Sequence, residues 1–315
     1  MISPSPVAEK RKINGAKSDV ARVSVIIPAY NEGEVIESTI ELVEGVVKNA
    51  KIDAEIIVVD DGSRDGTGVK AQDRGVRTLR HPHNVGYGRS LKDGIAAARF
   101  DTIVITDADG TYPIDTIPKL LSEYAQGFDM VVGARTGNFY RGPLLKRALR
   151  SVLKFLVEFT AGRRVPDVNS GLRVFSRTAA MSYFSHLCDG FSFTTSLTLA
   201  YMMTGKFVTY IEVPYHERVG KTKVKLFRDS LRTMQFIVEA ILYYNPIKIF
   251  ILISFFCGLL AILSLTVGFA AGLLGLEILG AVLFVSAVLV FCLGLIAVLL
   301  KQIMDRSQPS NRMDG

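Results

Sequence analysis

The chain has 315 residues and a net charge of +7, which leaves ample length for one large or two ordinary domains with a real core. Its three cysteines, Cys188, Cys257 and Cys292, form no CxxC pair, so neither a disulfide framework nor a zinc site is indicated. Beside the long apolar segments described below, the positive charge points to anionic lipid or a phosphorylated substrate and not to nucleic acid.

Residues 1–21 are polar and charged with no apolar h-region, so they read as a disordered arm and not a signal peptide, and the part that follows is expected in the cytosol. From there strand-like runs VSVII (23–27), EIIVVD (55–60), VRTL (76–79) and DTIVIT (101–106) alternate with helix-like stretches near 34–49, 65–74, 88–99 and 114–126. This alternation predicts an α/β fold with a mostly parallel sheet and helices on both faces. Ligands of such sheets bind beyond the carboxyl ends of the strands. The polar motifs PAYNE, DDGS and DADG fall at those ends. His81 and His83 sit in an HPHN turn and read as structural, and HNVGYGRS has Leu91 where a third glycine would complete GxGxxG, so no dinucleotide site is indicated.

After MVVGAR (130–135), residues 142–159 put Leu145, Leu149, Val152, Leu156 and Phe159 on one helical face and Lys146, Arg147, Arg150 and Lys154 on the others, the pattern of a helix lying in a membrane interface. A second amphipathic stretch, 223–245, carries Phe227, Leu231, Met234, Val238 and Ile241 and leads into the segment 246–301; packing on the domain core is the alternative reading for either helix. There, two apolar runs of bilayer length, about 249–271 and 278–300, are separated by GLLGLE. A mid-bilayer carboxylate costs about 2.5 to 3.5 kcal/mol, which places Glu277 at the turn of a transmembrane hairpin. Lys248, Lys301 and Arg306 put both ends on the cytoplasmic side, with 302–315 as a cytosolic tail.

Asp107 and Asp109 follow the fourth strand in IVITDADGTYP. In an extended segment residues i and i+2 point the same way, so the two carboxylates can share one cation. Oxygen ligands suit Mg²⁺ or Mn²⁺, typically held by one or two carboxylates together with substrate phosphates. An EF-hand loop fails, because Tyr112 and Pro118 stand where Gly and Glu are required. A phosphatase of the haloacid dehalogenase type shares the apolar-DxDGT string, but there it sits on the first core strand.

With PAYNE and VVDDGS added, the ordered set IIPAYNE, VVDDGSRDGT, HNVGYGRSL, DADG, VVGAR, NSGLRVF and RVGKTK resembles the inverting glycosyltransferases of family 2 over about residues 22–235. The resemblance implies a GT-A fold for a catalytic domain at 22–222. It implies that Pro28, Tyr30, Asn31, Glu32, Asp60, Asp61 and Asp107 bind the nucleotide of a sugar donor, with uridine as the base by analogy. It also implies a metal on Asp107 and Asp109, with Thr111 replacing the glutamine of relatives as third candidate ligand.

A sugar acceptor needs a general base, whereas a phosphate monoester is already anionic and needs positioned cations. The chain beyond residue 130 offers Arg135, Arg147, Arg173, Arg218, Lys221 and Lys223. Family members that act on polyprenyl or dolichyl phosphate look like this, which implies acceptor-phosphate binding by Arg135, Arg147, Ser170, Arg173, Arg218 and Lys223. Catalytic roles are implied for Asp107, Asp109, Arg135, Arg173 and Arg218. Relatives often self-associate, so a homo-oligomer is also implied. Four rival readings remain: a processive polysaccharide synthase, although the chain lacks the tryptophan of QxxRW; the haloacid dehalogenase-type phosphatase; an inactive nucleotide-sugar-binding scaffold; and a lipid flippase, although the two spans carry almost no polar residues to pass a headgroup.

Overall fold

A computed structural model describes residues 22–137, 144–216 and 226–307. Two compact units divide the chain after Met234. In the first, the continuous apolar runs form β1 (Arg22–Ala29), β2 (Asp53–Asp60), β3 (Arg77–Arg80) and β4 (Thr102–Ile105), followed by β5 (Met130–Thr136). Between them lie α1 (Ile36–Asn49), α2 (Thr67–Asp73), α3 (Tyr87–Ala97) and α4 (Ile117–Ala125). β1 is parallel to β2, with Ala29 beside Asp60, and to β4, with Ile26 beside Ile105.

Two further strands complete a seven-stranded sheet of order β3-β2-β1-β4-β6-β5-β7. β7 (Val208–Pro214) runs parallel to β5, while β6 (Arg173–Ser176) is antiparallel to both β4 and β5. The mostly parallel α/β reading therefore holds, with one reversed strand beside the central β4. Helices α5 (Leu144–Ala161), α6 (Arg177–Met181) and α7 (Phe193–Met203) are inserted around β6.

Both faces of the sheet are covered, which is why its strands read as unbroken apolar runs. Val23, Val25 and Ile27 pack in one cluster with Ile36, Ile40 and Val43 of α1 and Leu120 and Tyr124 of α4. On the alternate side of β1, Ile26 meets α3 at Gly94, where an added Cβ would lie 2.5 Å from Ile26 Cγ2 and 3.0 Å from Val59 Cγ2. Two effects oppose each other in Gly94→Ala: the helical preference for alanine stabilises by about 0.8 to 1 kcal/mol, and overpacking costs about 1 to 3 kcal/mol. Because Ile26 is fully buried, overpacking is expected to win and lower the thermal midpoint. A midpoint at or above wild type would show that α3 can lift off the sheet without cost.

Helix α5 matches the first amphipathic stretch. Val157 and Thr160 are buried, whereas Phe155 is 58% exposed and stacks on Phe159 at 6.3 Å. The second amphipathic stretch forms α8 (Leu226–Tyr244).

In the second unit, α9 (Ile247–Ala271) and α10 (Leu274–Ser307) form an antiparallel hairpin turned at Gly272, whose φ is +64°. Segments Ile247–Ala271 and Leu274–Ile303 have mean hydropathies of 2.6 and 3.1 and are long and apolar enough to cross a membrane. The helices meet along small residues seven apart, Ser254, Ala261 and Gly268 against Gly280, Ala287 and Gly294. Heptad spacing keeps one seam facing its partner, and small residues let the backbones approach. Ser254 Oγ donates to Ala287 O at 2.8 Å and Ser264 Oγ to Leu276 O at 2.7 Å across this seam. Large apolar side chains such as Phe255, Ile262 and Phe269 point outward. Glu277 lies in the first turn of α10, where a negative charge suits the helix dipole.

Candidate active site

The carboxyl ends of β1 and β2 are laced together by short side chains. Asn31, at φ +50°, donates its N–H to Ser63 Oγ at 2.8 Å and accepts from Arg64 N at 3.0 Å. Glu32 N donates to Thr67 Oγ1 at 2.9 Å, and Gly33 N to Asp65 Oδ2 at 2.8 Å. Burial works to raise the Asp65 carboxyl, but its hydrogen bonds from Thr67 and Gly33 prevail and hold it below the ordinary range. Tyr30, Asn31 and Glu32 are thereby displayed half-buried above the sheet, while Pro28 is buried within β1.

The adjacent acids of DDGS do different work. Asp60 is fully buried: Oδ1 accepts from Ser63 N at 2.9 Å, whereas Oδ2 has no hydrogen-bond donor among the described residues and faces Arg80 Nε at 3.4 Å. Beside it opens a cleft of about 460 Å³ lined by Gly62, Ser63, Arg64, Arg80, His81 and Pro82. Asp61 is turned inward, its oxygens accepting from His81 Nδ1, Val85 N and Gly86 N, each at 2.9 Å. It thus fastens the loop before α3, and His81 joins it to Asp93 through Nε2 at 3.1 Å, the structural use expected of that histidine.

At the central strand end, β4 stops at Ile105 and residues 108–109 are in a turn, so the strand pleat does not carry to the two aspartates. What shapes this segment is its own hydrogen bonding. Asp109 is buried, and its Oδ1 accepts from Thr111 N at 3.2 Å and Thr111 Oγ1 at 2.6 Å. Thr39 Oγ1, from α1, donates to the carbonyl of Ala108 between the two acids at 3.0 Å. Tyr87 OH donates to Asp107 Oδ1 at 2.9 Å. Among the described residues no group of three or more His, Cys, Asp or Glu side chains is placed to hold a metal. The candidate donors here are the two carboxylates, hard oxygens, while the Thr111 hydroxyl is given to Asp109 Oδ1. This pair fits Mg²⁺ or Mn²⁺ completed by substrate phosphates, and does not fit a closed protein cage.

The NSGLR segment lies against this pair. A Cβ on Gly171 would sit 2.5 Å from Asp107 Oδ2, so only glycine lets the two segments touch, and Gly171 N donates to Tyr112 OH at 2.7 Å. Arg135 forms a fork to Asp167, with Nε–Oδ2 at 2.7 Å and Nη2–Oδ1 at 2.8 Å, and lies over the Tyr215 ring at 5.4 Å. Burial pushes the Asp167 carboxyl up, but Arg135 outweighs it and keeps the group below the usual carboxylate range.

Two expectations are revised here. Arg173 is not turned toward a ligand: it is fully buried, donating to Ser170 O, Val168 O and Thr198 Oγ1, each at 2.7 Å. A cation in that position braces the turn, and burial lowers its proton affinity. Ser170 is likewise buried, its Oγ donating to Gly133 O at 2.5 Å. Arg218, Lys221 and Lys223 fall outside the described residues, and Arg147 lies on α5 with its side chain outside them. Tyr87, Tyr112, Asp167 and Gly171 were not singled out from the sequence. A lone tyrosine or aspartate beside glycine reads as turn chemistry, and only the fold brings them to the carboxylates.

The family model described as glycosyl transferase family 2 matches residues 24–184. The chain belongs to that family. It is a glycosyltransferase, which removes the phosphatase reading. It is 28% identical over 221 residues to the dolichyl-phosphate hexose transferase of Haloferax volcanii, covering 70% of this chain and 94% of that protein. Against the undecaprenyl-phosphate mannosyltransferase of Micrococcus luteus it is 27% identical over 220 residues, covering 64% and 87%. The glucosyl-3-phosphoglycerate synthase of Mycobacterium tuberculosis, solved with Mn²⁺, UDP-glucose and phosphoglyceric acid, shares the fold at a TM-score of 0.57 and 21% identity over 70% of this chain and 81% of that one.

Proposed function

We propose that this glycosyltransferase moves a hexose or N-acetylhexosamine from a nucleoside diphosphate sugar to a polyprenyl phosphate, inverting the anomeric centre. The observation that supports the reading is the close approach of Gly171 to the Asp107 carboxylate, which brings the segment read as donor-binding against the NSG turn read as acceptor-binding. The names of the Haloferax and Micrococcus relatives support a lipid-phosphate acceptor.

In this reading Tyr30, Asn31 and Glu32 contact the base and ribose over Pro28, and Asp60 Oδ2 accepts a donor from the nucleoside. The neighbouring cleft has the size of a small-ligand pocket. Asp61 acts by holding the loop before α3. Asp107 and Asp109, with Thr111 orienting Asp109, hold a divalent ion. When bound, that ion offsets charge building on the departing diphosphate. An acceptor phosphate oxygen forms the new bond to the anomeric carbon as the bond to the diphosphate breaks, and the electron pair leaves with the nucleoside diphosphate. No base is needed, because the phosphate is already anionic. Arg135, Arg147, Arg218 and Lys223 seat the phosphate, while Ser170 and Arg173 shape the turn beneath it.

Residues 22–222 form the catalytic domain, 223–245 a juxtamembrane helix, 246–301 a membrane anchor and 302–315 a tail, with both ends cytoplasmic. The test is a panel of UDP- and GDP-sugars offered with and without polyprenyl phosphate and Mn²⁺ or Mg²⁺. Nucleoside diphosphate release that requires both lipid phosphate and metal, with one lipid product, is expected. Release that ignores the lipid, or growth of a polymer, would overturn the proposal.

A further inference from the structure

Asp107 is approached from two sides, and one contact runs through a stacked pair of aromatic rings. On one side Gly171 touches the carboxylate. On the other the Tyr87 hydroxyl donates to Oδ1 at 2.9 Å, and the Tyr87 ring is stacked on Phe191 with centroids 5.6 Å apart and planes 23° apart. Phe191 is 46% exposed, so burial of its own surface does not explain its position. Its loop is instead docked on the start of α3. Arg89 N donates to Asp189 O at 2.8 Å, and Lys92 Nζ reaches Asp189 Oδ1 at 2.5 Å and Leu187 O at 2.6 Å. Glycine is required at the point of docking, since a Cβ on Gly88 would lie 2.2 Å from Cys188 O.

We propose that Tyr87 is a positioning residue that fixes the Asp107 carboxylate for the divalent ion, with Phe191 as the brace that keeps the tyrosine ring in place. The inference rests on Asp107 and Asp109 being the metal pair. A hydrogen bond to the non-reacting side of a metal-binding carboxylate orients it before the metal arrives, and loss of such a partner typically weakens metal affinity about 10- to 100-fold. Tyr87→Phe is the direct probe because it keeps the ring, the stack and the burial and removes only the donor.

The experiment titrates Mn²⁺ into the full-length protein with UDP and, separately, GDP, following free Mn²⁺ by electron paramagnetic resonance. Tyr87→Phe should need about 10- to 100-fold more Mn²⁺ for half-saturation, and its transferase activity should return as Mn²⁺ is raised, which a merely structural residue would not show. Metal-free nucleotide binding checks that the variant is folded. Should it fail to fold, Phe191→Leu, at a half-exposed site, keeps the hydroxyl but loosens the ring and should weaken Mn²⁺ uptake in the same direction. Wild-type Mn²⁺ affinity in folded Tyr87→Phe would overturn the positioning role, and wild-type affinity in Phe191→Leu would overturn the brace. If the wild-type protein takes up no Mn²⁺ with either nucleotide, the metal-pair reading itself fails, a result distinct from both.

Discussion

Exchanging Asp109 for asparagine is expected to cut turnover by about a thousandfold or more, a barrier increase of about 4 kcal/mol. Asparagine keeps an oxygen for the two hydrogen bonds from Thr111 that shape the turn, so the local fold should persist. What disappears is one negative charge and one hard ligand at the place where diphosphate charge must be offset. Because Asp109 is buried, the neutral amide also avoids the cost of desolvating a carboxylate, and the thermal midpoint should stay level or rise slightly. Loss of activity with retained stability separates a chemical role from a structural one. Initial rates at saturating donor and lipid phosphate, run beside melting curves, decide it. Turnover within tenfold of wild type would remove Asp109 from the metal site.

The parallel half of the fold was readable because its strands are buried on both faces and so stand out as unbroken apolar runs between helical periods. Beyond residue 136 that signal fails for identifiable reasons. β6 has four residues and begins with Arg173, a cation that reads as surface but is buried between β4 and β5. α7 is buried on nearly every side, so FTTSLTLAYMM has no polar face from which to infer a helix. The same limit governs the site. Paired aspartates after a strand only suggest a metal bridge, and it is the ordered set of motifs around them that gives the suggestion weight. Whether an arginine meets a ligand or braces a backbone turn depends on burial and partners, and the two readings of Arg173 share one letter. Asp167 is the sharper case, since nothing in VPDVNSG marks it as the counter-charge of Arg135, 32 residues earlier.

That pair should give the largest stability effect in the catalytic unit. Arg135→Met leaves the Asp167 carboxylate, 2% exposed, without its fork, and removal of one partner of a buried ion pair costs about 3 to 5 kcal/mol. Asp167→Asn should cost less, because the remaining guanidinium keeps 16% exposure and can draw on solvent. The pH dependence distinguishes this pair from ordinary packing. In wild type the folded Asp167 binds its proton less readily than an unfolded aspartate, whose pKa is about 3.9. Its contribution is therefore complete above that value and lost only as pH falls through the lower folded value. In Arg135→Met burial is opposed only by the backbone N–H groups of residue 135 and Asn169, so the carboxyl moves up from its wild-type position, and the defect is greatest near neutrality and shrinks as pH is lowered toward 4, where Asp167 takes up a proton more readily. Far-ultraviolet circular dichroism melts of the full chain between pH 4.5 and 8 should show this slope in the variant. Arg135→Met combined with Asp167→Leu should recover most of the stability and none of the transfer, since an apolar pair can replace buried charges in packing but cannot seat a phosphate. A defect below about 1 kcal/mol with no pH slope would mean that the NSG turn is held by Arg173 and Tyr112 alone.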